Sequence, residues 1–302
     1  MAANKLNFFM KIFLSTLITI CCFSMLFSQE KEKTATENVS VLEQEFVIPN
    51  LNNISHKIWV YVPPNYYNSN KKYPVIYMHD AQNLFDATTS YVGEWKVDET
   101  LNDLYKTTGK GFIVVAVENG GAERINEYTP WEHKKYGGGK GEFYIDFLKN
   151  TLKPYIDATY RTKKQAKHTA IIGSSLGGLI SYYGGLKYPE TFGKIGALST
   201  SFWFSDKVEG FTKNYGKNQK SKLYLLVGAK EGKYVVSNTE KYKNLLIETG
   251  FKSKNITSKI KIDKETLTHI DKNLQRNHPS EYLYNLFDRL CILEKRLNNE
   301  VI

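Results

Sequence analysis

The sequence predicts an α/β fold in which helices cover both faces of a mostly parallel, doubly wound sheet. Five short apolar runs are continuous rather than alternating, as is typical of parallel strands that are buried on both faces. Segments with apolar residues at helical spacing lie between the runs, and no internal repeat divides the chain. The apolar runs cover residues 73–78, 112–117, 170–172, 195–198 and 223–227.

The segments around these runs complete the predicted fold. Alternation of apolar and polar residues over 45–49 and 56–64 predicts two antiparallel edge strands at the N-terminal side of the sheet. Helices are predicted over 95–104, 142–156, 239–249 and 281–290, and a further strand over 255–262. We therefore predict a single domain over residues 42–302.

A basic and then apolar segment opens the chain. Lys5 and Lys11 precede an apolar run over residues 12–27, which is the pattern of a secretory signal peptide. We predict that residues 1–28 are removed and that residues 29–41 form a polar linker. The mature protein is then exported, either to the periplasm or into the medium.

Two alternatives for the opening segment stay open. Its apolar run approaches the length of a membrane-spanning helix, so an uncleaved anchor is one of them; lipid attachment at Cys21 or Cys22 is the other. In both cases the protein meets a membrane only through this segment. Cleavage leaves Cys291 without a second cysteine, so no intramolecular disulfide is expected.

The formal net charge of +10 does not by itself indicate a nucleic-acid partner. The lysines are dispersed along the chain, and no recognition-helix, zinc or base-stacking motif accompanies them. We expect a solvated lysine-rich surface and no nucleic-acid binding.

A Gly-x-Ser-x-Gly motif follows the third apolar run and precedes a helical pattern. A strand that turns sharply into a helix in this way presents the serine hydroxyl at the bend, which makes Ser175 the candidate nucleophile. Gly173 and Gly177 lack Cβ atoms, so the adjoining backbones can approach each other. The backbone N–H of Leu176 is available to a developing oxyanion.

A serine nucleophile needs a histidine base and an acid that orients the histidine. When the serine lies in an elbow of this kind, the acid and then the histidine follow it in the chain. Only His269 and His278 follow Ser175, and we favour His269 because it lies in a predicted loop after a strand. Glu231 follows the last apolar run and is the candidate acid, with Asp263 and Asp271 as alternatives.

The loop after the first apolar run supplies the second oxyanion donor, the backbone N–H of Ala81 or of Gln82. His79 and Asp80 precede these residues, but no second ligand pair with metal-binding spacing accompanies them. We therefore expect neither a metal nor a cofactor in the site.

Together these residues resemble those of an esterase family of α/β-hydrolases that includes feruloyl and acetyl-xylan esterases, enterochelin-type siderophore esterases and S-formylglutathione hydrolase. The resemblance extends over roughly residues 45–290. It rests on segments 73–86, 127–131, 152–157, 173–178 and 198–203. It implies an α/β-hydrolase fold and ester hydrolysis.

The resemblance also bears on individual positions. In relatives the base histidine is often followed by an acidic residue and a proline at the spacing of Asp271 and Pro279, which favours His269. Two positions depart from the family pattern, because relatives usually have glycine at the position of Ala81 and often tryptophan at that of Leu274. These departures affect the oxyanion loop and the substrate pocket.

The expected function is hydrolysis of a small-molecule or carbohydrate-linked ester by an exported serine esterase. Four aromatic residues in predicted active-site loops are candidates for stacking on a sugar or a phenolic acyl group: Tyr128, Trp131, Phe202 and Trp203. A catecholate siderophore lactone is the alternative substrate. An alternative from another class is a non-catalytic protein that binds ligand on the same scaffold.

Overall fold

The structure is a computed structural model that describes residues 32–217 and 220–261. Within these residues the strands are β1 (Val39–Val41), β2 (Phe46–Val47), β3 (Ser55–His56), β4 (Ile58–Tyr61), β5 (Val75–His79), β6 (Ile113–Val117), β7 (Glu132–His133), β8 (Gly137–Gly138), β9 (Thr169–Ser174), β10 (Lys194–Leu198), β11 (Lys222–Gly228) and β12 (Ile256–Lys261). The helices are α1 (Val97–Thr108), α2 (Arg124–Tyr128), α3 (Gly141–Phe147), α4 (Lys153–Thr159), α5 (Leu176–Lys187), α6 (Lys207–Tyr215) and α7 (Lys233–Glu248).

Eight of these strands form the central sheet, in the order β1-β4-β6-β5-β9-β10-β11-β12. Strands β6, β5, β9, β10, β11 and β12 pair in parallel, whereas β4 pairs antiparallel with both β1 and β6. The predicted α/β-hydrolase architecture, with antiparallel strands at the N-terminal side, is confirmed.

The burial of β5 explains why its residues 75–78 are continuously apolar. Val75 and Tyr77 contact one buried cluster, and Ile76 and Met78 contact another. Because successive side chains of a strand point to opposite faces, a strand covered on both faces needs apolar residues at every position. The core is thus two layers separated by the sheet.

Helix α1 has a buried apolar face and ends at a glycine cap. Val97, Leu101 and Leu104 form its buried face, at the spacing of an amphipathic helix. The helix ends at Gly109, whose φ of 69° places it in the left-handed region and whose N–H donates to Tyr105 O. Glycine adopts this capping conformation without a Cβ penalty.

Three predicted segments are organised differently in the structure. The predicted linker over 29–41 contains β1, which belongs to the sheet because it pairs with β4. The predicted strand over 56–64 is divided: β3 pairs with β2 in a separate two-stranded sheet, and β4 enters the central one. The predicted helix over 142–156 is divided by a π-helical turn at Leu148–Leu152.

Several predictions fall outside the described residues: the signal segment over 1–28, the helix over 281–290, and the candidates His269, His278, Asp263 and Asp271. Within the described ranges, none of the helices combines the length and the apolar composition needed to cross a bilayer.

The strand order indicates where a ligand would bind. From β5 the chain first adds β6 on one side and later β9 on the other, so the direction of winding reverses between β5 and β9. In an open α/β sheet, ligands bind at the carboxyl ends of the strands next to such a reversal. The loops that begin at Asp80 and Ser175 follow these two strands.

Candidate functional site

Ser175 lies between β9 and α5 in a strained backbone conformation, with φ 58° and ψ −119°. Its N–H donates to Leu198 O at 3.0 Å, and its carbonyl accepts hydrogen bonds from the N–H groups of Leu179 and Ser201, each at 3.1 Å. A non-glycine residue with positive φ persists only where the surrounding structure holds it, and such residues cluster at functional sites.

Gly173 permits the close approach at this elbow. A Cβ atom on Gly173 would lie 2.5 Å from Gly177 O and 2.6 Å from His79 Cδ2. At Gly177 the nearest atom to an added Cβ would be Asp80 Oδ2 at 3.5 Å, an ordinary contact. The need for a missing Cβ, predicted for both glycines, therefore applies to Gly173 and not to Gly177.

Ser175 lines a cleft of about 560 Å³. Its Oγ lies 3.1 Å from Ser201 Oγ, within hydrogen-bond distance. The cleft is lined by residues that follow β5, β6 and β9, among them Asp80, Gln82, Asn119, Arg124 and Ser175.

The two predicted oxyanion donors lie at the N-termini of helical segments. Leu176 is the first residue of α5, and Ala81 and Gln82 begin a 3₁₀ turn over Ala81–Asn83. The first N–H groups of a helical turn have no acceptor within it and carry partial positive charge. Both Ala81 and Gln82 are buried, and Gln82 lines the same cleft as Ser175.

An ion pair anchors the loop that carries Ala81 and Gln82. Asp80 has a left-handed φ of 59°, and its carboxylate accepts from Arg124 Nε at 2.6 Å and Nη2 at 2.9 Å, and from Asn119 Nδ2 at 2.6 Å. Burial disfavours the charged guanidinium, but the hydrogen bonds and attraction of Asp80 prevail and raise the pKa of Arg124. The guanidinium of Arg124 is therefore charged at neutral pH.

His79 is a structural residue behind the elbow. Its Nδ1 lies 2.8 Å from Tyr144 Oη and its Nε2 lies 2.9 Å from Ser181 Oγ. Because Ser181 donates its own proton to Gly177 O at 2.8 Å, we assign the His79 proton to Nε2, so that Nδ1 accepts from Tyr144. Burial lowers the pKa of His79 to about 3, which keeps the ring neutral and, with both nitrogens engaged, unavailable to a metal.

Glu231 lies in a 3₁₀ turn directly after β11. Its Oε1 accepts from Ser199 Oγ at 2.6 Å and from Gly228 N at 2.9 Å. Ser199 itself has a left-handed φ of 44°. Since Ser201 contacts Ser175, the short segment after β10 touches both the candidate acid and the candidate nucleophile. The predicted base His269 lies beyond the described residues.

The four aromatic residues predicted to contact substrate differ in their exposure to solvent. Tyr128 and Phe202 are buried, and the Tyr128 hydroxyl accepts from Asp80 N at 3.0 Å, so both rings belong to the core. Trp131 is half-buried and packs edge-on against Tyr183. Trp203 is 44% exposed and is the one of the four that presents a large ring surface to solvent.

Four polar residues of this site were not predicted from the sequence: Asn119, Arg124, Ser199 and Ser201. Ser199 and Ser201 lie one and three residues beyond the end of β10, and Asn119 lies two residues beyond the end of β6. That position at a strand's carboxyl end was a usable signal. For Arg124 no such signal exists, because it lies on α2.

The family model described as "Putative esterase" matches residues 51–266, most of the chain. The chain belongs to this esterase family. Its membership supports esterase activity in general. Among curated proteins, an uncharacterised protein YbbA from Bacillus subtilis (strain 168) is 27% identical over 210 residues, 65% of this chain and 80% of the relative.

Solved structures of esterases share the fold. The siderophore hydrolase EstA from Aspergillus nidulans superimposes with a TM-score of 0.65 at 16% identity, over 82% of this chain and 94% of that one. A ferulic acid esterase superimposes with a TM-score of 0.54 at 14% identity, over 83% and 95%. At these identities the likeness establishes the fold and leaves the substrate open.

Proposed function

We propose that this esterase is an exported serine enzyme that cleaves a carboxylic ester through an acyl-enzyme. The observation that carries the proposal is the conformation of Ser175, a non-glycine residue at φ 58° that follows β9 and lines a cleft. Such strain has a cost, and a nucleophile at the bend is the reason to maintain it.

In the acylation step, Ser175 Oγ attacks the ester carbonyl carbon while His269 accepts the hydroxyl proton. The bond from that carbon to the alcohol oxygen then breaks, and His269 returns the proton to the departing alcohol. Glu231 orients His269, and it is itself held by two donors on one oxygen. Water then attacks the acyl-enzyme, releases the acid and regenerates Ser175.

The developing oxyanion is stabilised by the N–H of Leu176 together with that of Ala81 or Gln82. These donors follow neighbouring strands, and the second loop is held rigid by the Asp80–Arg124 ion pair. Fixed donors of this kind need no reorganisation during the reaction, and each contributes roughly 3–4 kcal/mol of transition-state stabilisation.

We propose a carbohydrate-linked or phenolic ester as the substrate. The exposed ring of Trp203 lies edge-on to that of Tyr136, with the ring centroids 6.1 Å apart, and such rings suit a sugar face or a phenolic ring. The ferulic acid esterase with the same fold supports a phenolic acyl group.

A siderophore ester is the second candidate. EstA, which shares the fold, is a siderophore hydrolase, and this likeness supports a siderophore ester. A panel of feruloyl, acetyl-sugar and catecholate-lactone esters distinguishes these substrate classes by kcat/KM.

Active-site labelling tests the covalent step. Wild-type protein is expected to release phenol from a short-chain aryl ester and to gain the mass of one fluorophosphonate group on Ser175, since the reagent traps an activated serine. Ser175→Ala should lose both properties. Ser237→Ala, which removes an exposed helical hydroxyl, is the matched control and should retain both.

Two outcomes would contradict the proposal. Equal inactivity of wild type and Ser175→Ala across the ester panel would favour the non-catalytic alternative, and labelling of a different residue would exclude Ser175 as the nucleophile. Export is tested separately by sequencing the N-terminus of the mature protein in cell fractions, where a start after residue 28 is expected.

A further inference from the structure

A second hydroxyl lies beside the candidate nucleophile. Ser201 Oγ is 3.1 Å from Ser175 Oγ, and either hydroxyl can be the donor in this geometry. Ser201 is buried, and the described residues offer its hydroxyl no other hydrogen-bond partner. Of the two serines, only Ser175 is among the described residues that line the cleft. The Ser201 hydroxyl is therefore placed to act on the nucleophile rather than on the substrate.

The main chain fixes Ser201 relative to Ser175 without help from the two hydroxyls. Ser201 N donates to Ser175 O at 3.1 Å, and Ser175 N donates to Leu198 O at 3.0 Å. The residue after Ser201, Phe202, is buried and stacks on Tyr242 with the ring centroids 4.4 Å apart. None of these contacts uses the Ser201 hydroxyl, so we expect Ser201→Ala to fold and to keep the elbow.

The proposed reaction decides which hydroxyl donates. Ser175 has a single hydroxyl proton, and this proton must point to His269 if His269 is to accept it. The Ser175 oxygen is then free to accept from Ser201, whose own proton has no other acceptor among the described residues. Ser201 is therefore the donor and Ser175 the acceptor, an assignment that rests on the proposed serine mechanism.

We propose that Ser201 is a catalytic residue that donates a hydrogen bond to Ser175 Oγ and assists the departure of this oxygen from the acyl-enzyme. After water has attacked the acyl carbon and given a proton to His269, the bond from that carbon to Ser175 Oγ breaks. His269 returns the proton to Ser175 Oγ, while Ser201 keeps its own proton and stabilises the charge that develops on the departing oxygen. A donor held in place by the main chain needs no reorganisation during this step.

The hydrogen bond should accelerate deacylation more than acylation. An interaction accelerates a step only when it is stronger in the transition state than in the state before it. In the acyl-enzyme, Ser175 Oγ is an ester oxygen, which accepts weakly, and it becomes a strong acceptor as negative charge develops. In the free enzyme it is a hydroxyl oxygen that already accepts from Ser201, so the hydrogen bond gains less strength during acylation.

Steady-state kinetics of Ser201→Ala test the proposal. Aryl esters that share the acyl group but differ in the phenol are used, because an equal kcat across them marks deacylation as the limiting step. For an acyl-enzyme mechanism, kcat/KM then reports acylation. We expect kcat to fall about tenfold, as for the loss of one hydrogen bond to a charged oxygen, and kcat/KM to fall less than about threefold. Mass spectra of enzyme quenched in the steady state should show a larger acylated fraction in Ser201→Ala than in wild type.

Two further variants and one reagent separate this role from a structural one. Ser205→Ala removes a hydroxyl from the same segment, one that accepts from Lys207 N at 3.3 Å, and it should match wild type in kcat and kcat/KM. Ser201→Cys keeps the size of the side chain but has a weaker donor; it serves if Ser201→Ala does not fold, and its kcat should also fall. Fluorophosphonate should still label Ser175 in Ser201→Ala at close to the wild-type rate, since labelling requires only the first attack.

Two results would overturn the proposal and leave the serine mechanism intact. One is a wild-type kcat in Ser201→Ala. The other is an equal fall of kcat and kcat/KM together with slow labelling of Ser175, which would assign to Ser201 a structural role at the elbow. Absence of labelling at Ser175 in wild type would instead contradict the serine mechanism, and the role of Ser201 with it.

Discussion

Replacing Arg124 by methionine tests whether its ion pair with Asp80 holds the loop beside the catalytic serine. Methionine keeps much of the aliphatic length and removes the guanidinium. The Asp80 carboxylate then retains the Asn119 amide at 2.6 Å but loses both hydrogen bonds from Arg124. Asp80→Asn is the complementary change, since it removes the negative charge and preserves the shape.

The expected magnitude follows from the exposure of the pair. Breaking a buried ion pair costs roughly 3–5 kcal/mol, because one charge is left without a partner, whereas an exposed pair contributes roughly 0–1 kcal/mol. The side chains of Arg124 and Asp80 are 28% and 15% exposed, between these limits. We expect Arg124→Met to lower the free energy of unfolding by about 2 kcal/mol.

A double-mutant cycle measured by urea unfolding isolates the interaction. The double variant Asp80→Asn/Arg124→Met should be little less stable than either single variant, which gives a coupling energy of about 1–2 kcal/mol. Lys213→Met, which breaks an exposed pair with Glu209, should unfold at the urea concentration of wild type. Since Asp80 precedes the proposed oxyanion donors, kcat on an aryl ester should fall about tenfold in Arg124→Met.

A coupling energy below about 0.5 kcal/mol would refute this reasoning, because distant, independent residues already show values of that size. If Arg124→Met loses stability as expected but keeps its kcat, the stabilising role of the pair is separate from any role in catalysis. The pair would then stabilise the fold without positioning the oxyanion loop.

Three further predictions follow from the geometry of the site. Gly173→Ala should lower the free energy of unfolding, measured by urea titration, by about 1–3 kcal/mol, because its Cβ would lie 2.5 Å from Gly177 O. Gly177→Ala, whose Cβ would have its nearest contact at 3.5 Å, should lower it by less. Because the pKa of His79 is lowered in the folded state, the unfolded chain binds a proton that the folded chain does not. The free energy of unfolding should therefore decrease as the pH is lowered below about 6.5, by up to about 1.4 kcal/mol per pH unit. His79→Gln should show a shallower loss in unfolding measured over the same pH range; an equal slope would assign the effect to other groups. Ser199→Ala removes a hydrogen bond to the Glu231 carboxylate and should lower kcat/KM about 10- to 100-fold, and a pH–rate profile identical to that of wild type would show that Ser199 does not act through the acid.

Most of the structure that could be predicted follows from sequence patterns that extend over a few residues. Continuous apolar runs identified central strands such as β5, whose alternate residues face opposite layers, and the spacing around Ser175 identified the elbow. Both features depend on residues a few positions apart, so the sequence expresses them directly. The small two-stranded sheet of β2 and β3 was not predictable in this way, because the same alternation suits the edge of the main sheet.

Charge and hydrogen-bond partners depended on the fold. The ion pair between Asp80 and Arg124 joins residues 44 positions apart, and the hydrogen bond from Ser199 to Glu231 joins residues 32 positions apart. Neither pair shows a sequence spacing that selects it among the many charged and polar residues. The order of the strands brings their loops to one edge of the sheet and so selects these partners.

The sequence by itself determined the strand–elbow–helix unit around Ser175, the parallel strands and the order in which the candidate acid and base follow the serine. Only the tertiary structure decided which side chains contact Ser175 and Glu231, and that Tyr128 and Phe202 are core residues. The physical reason is that backbone conformation responds to neighbouring residues, whereas burial and charge pairing are set by segments that meet only after the sheet has formed.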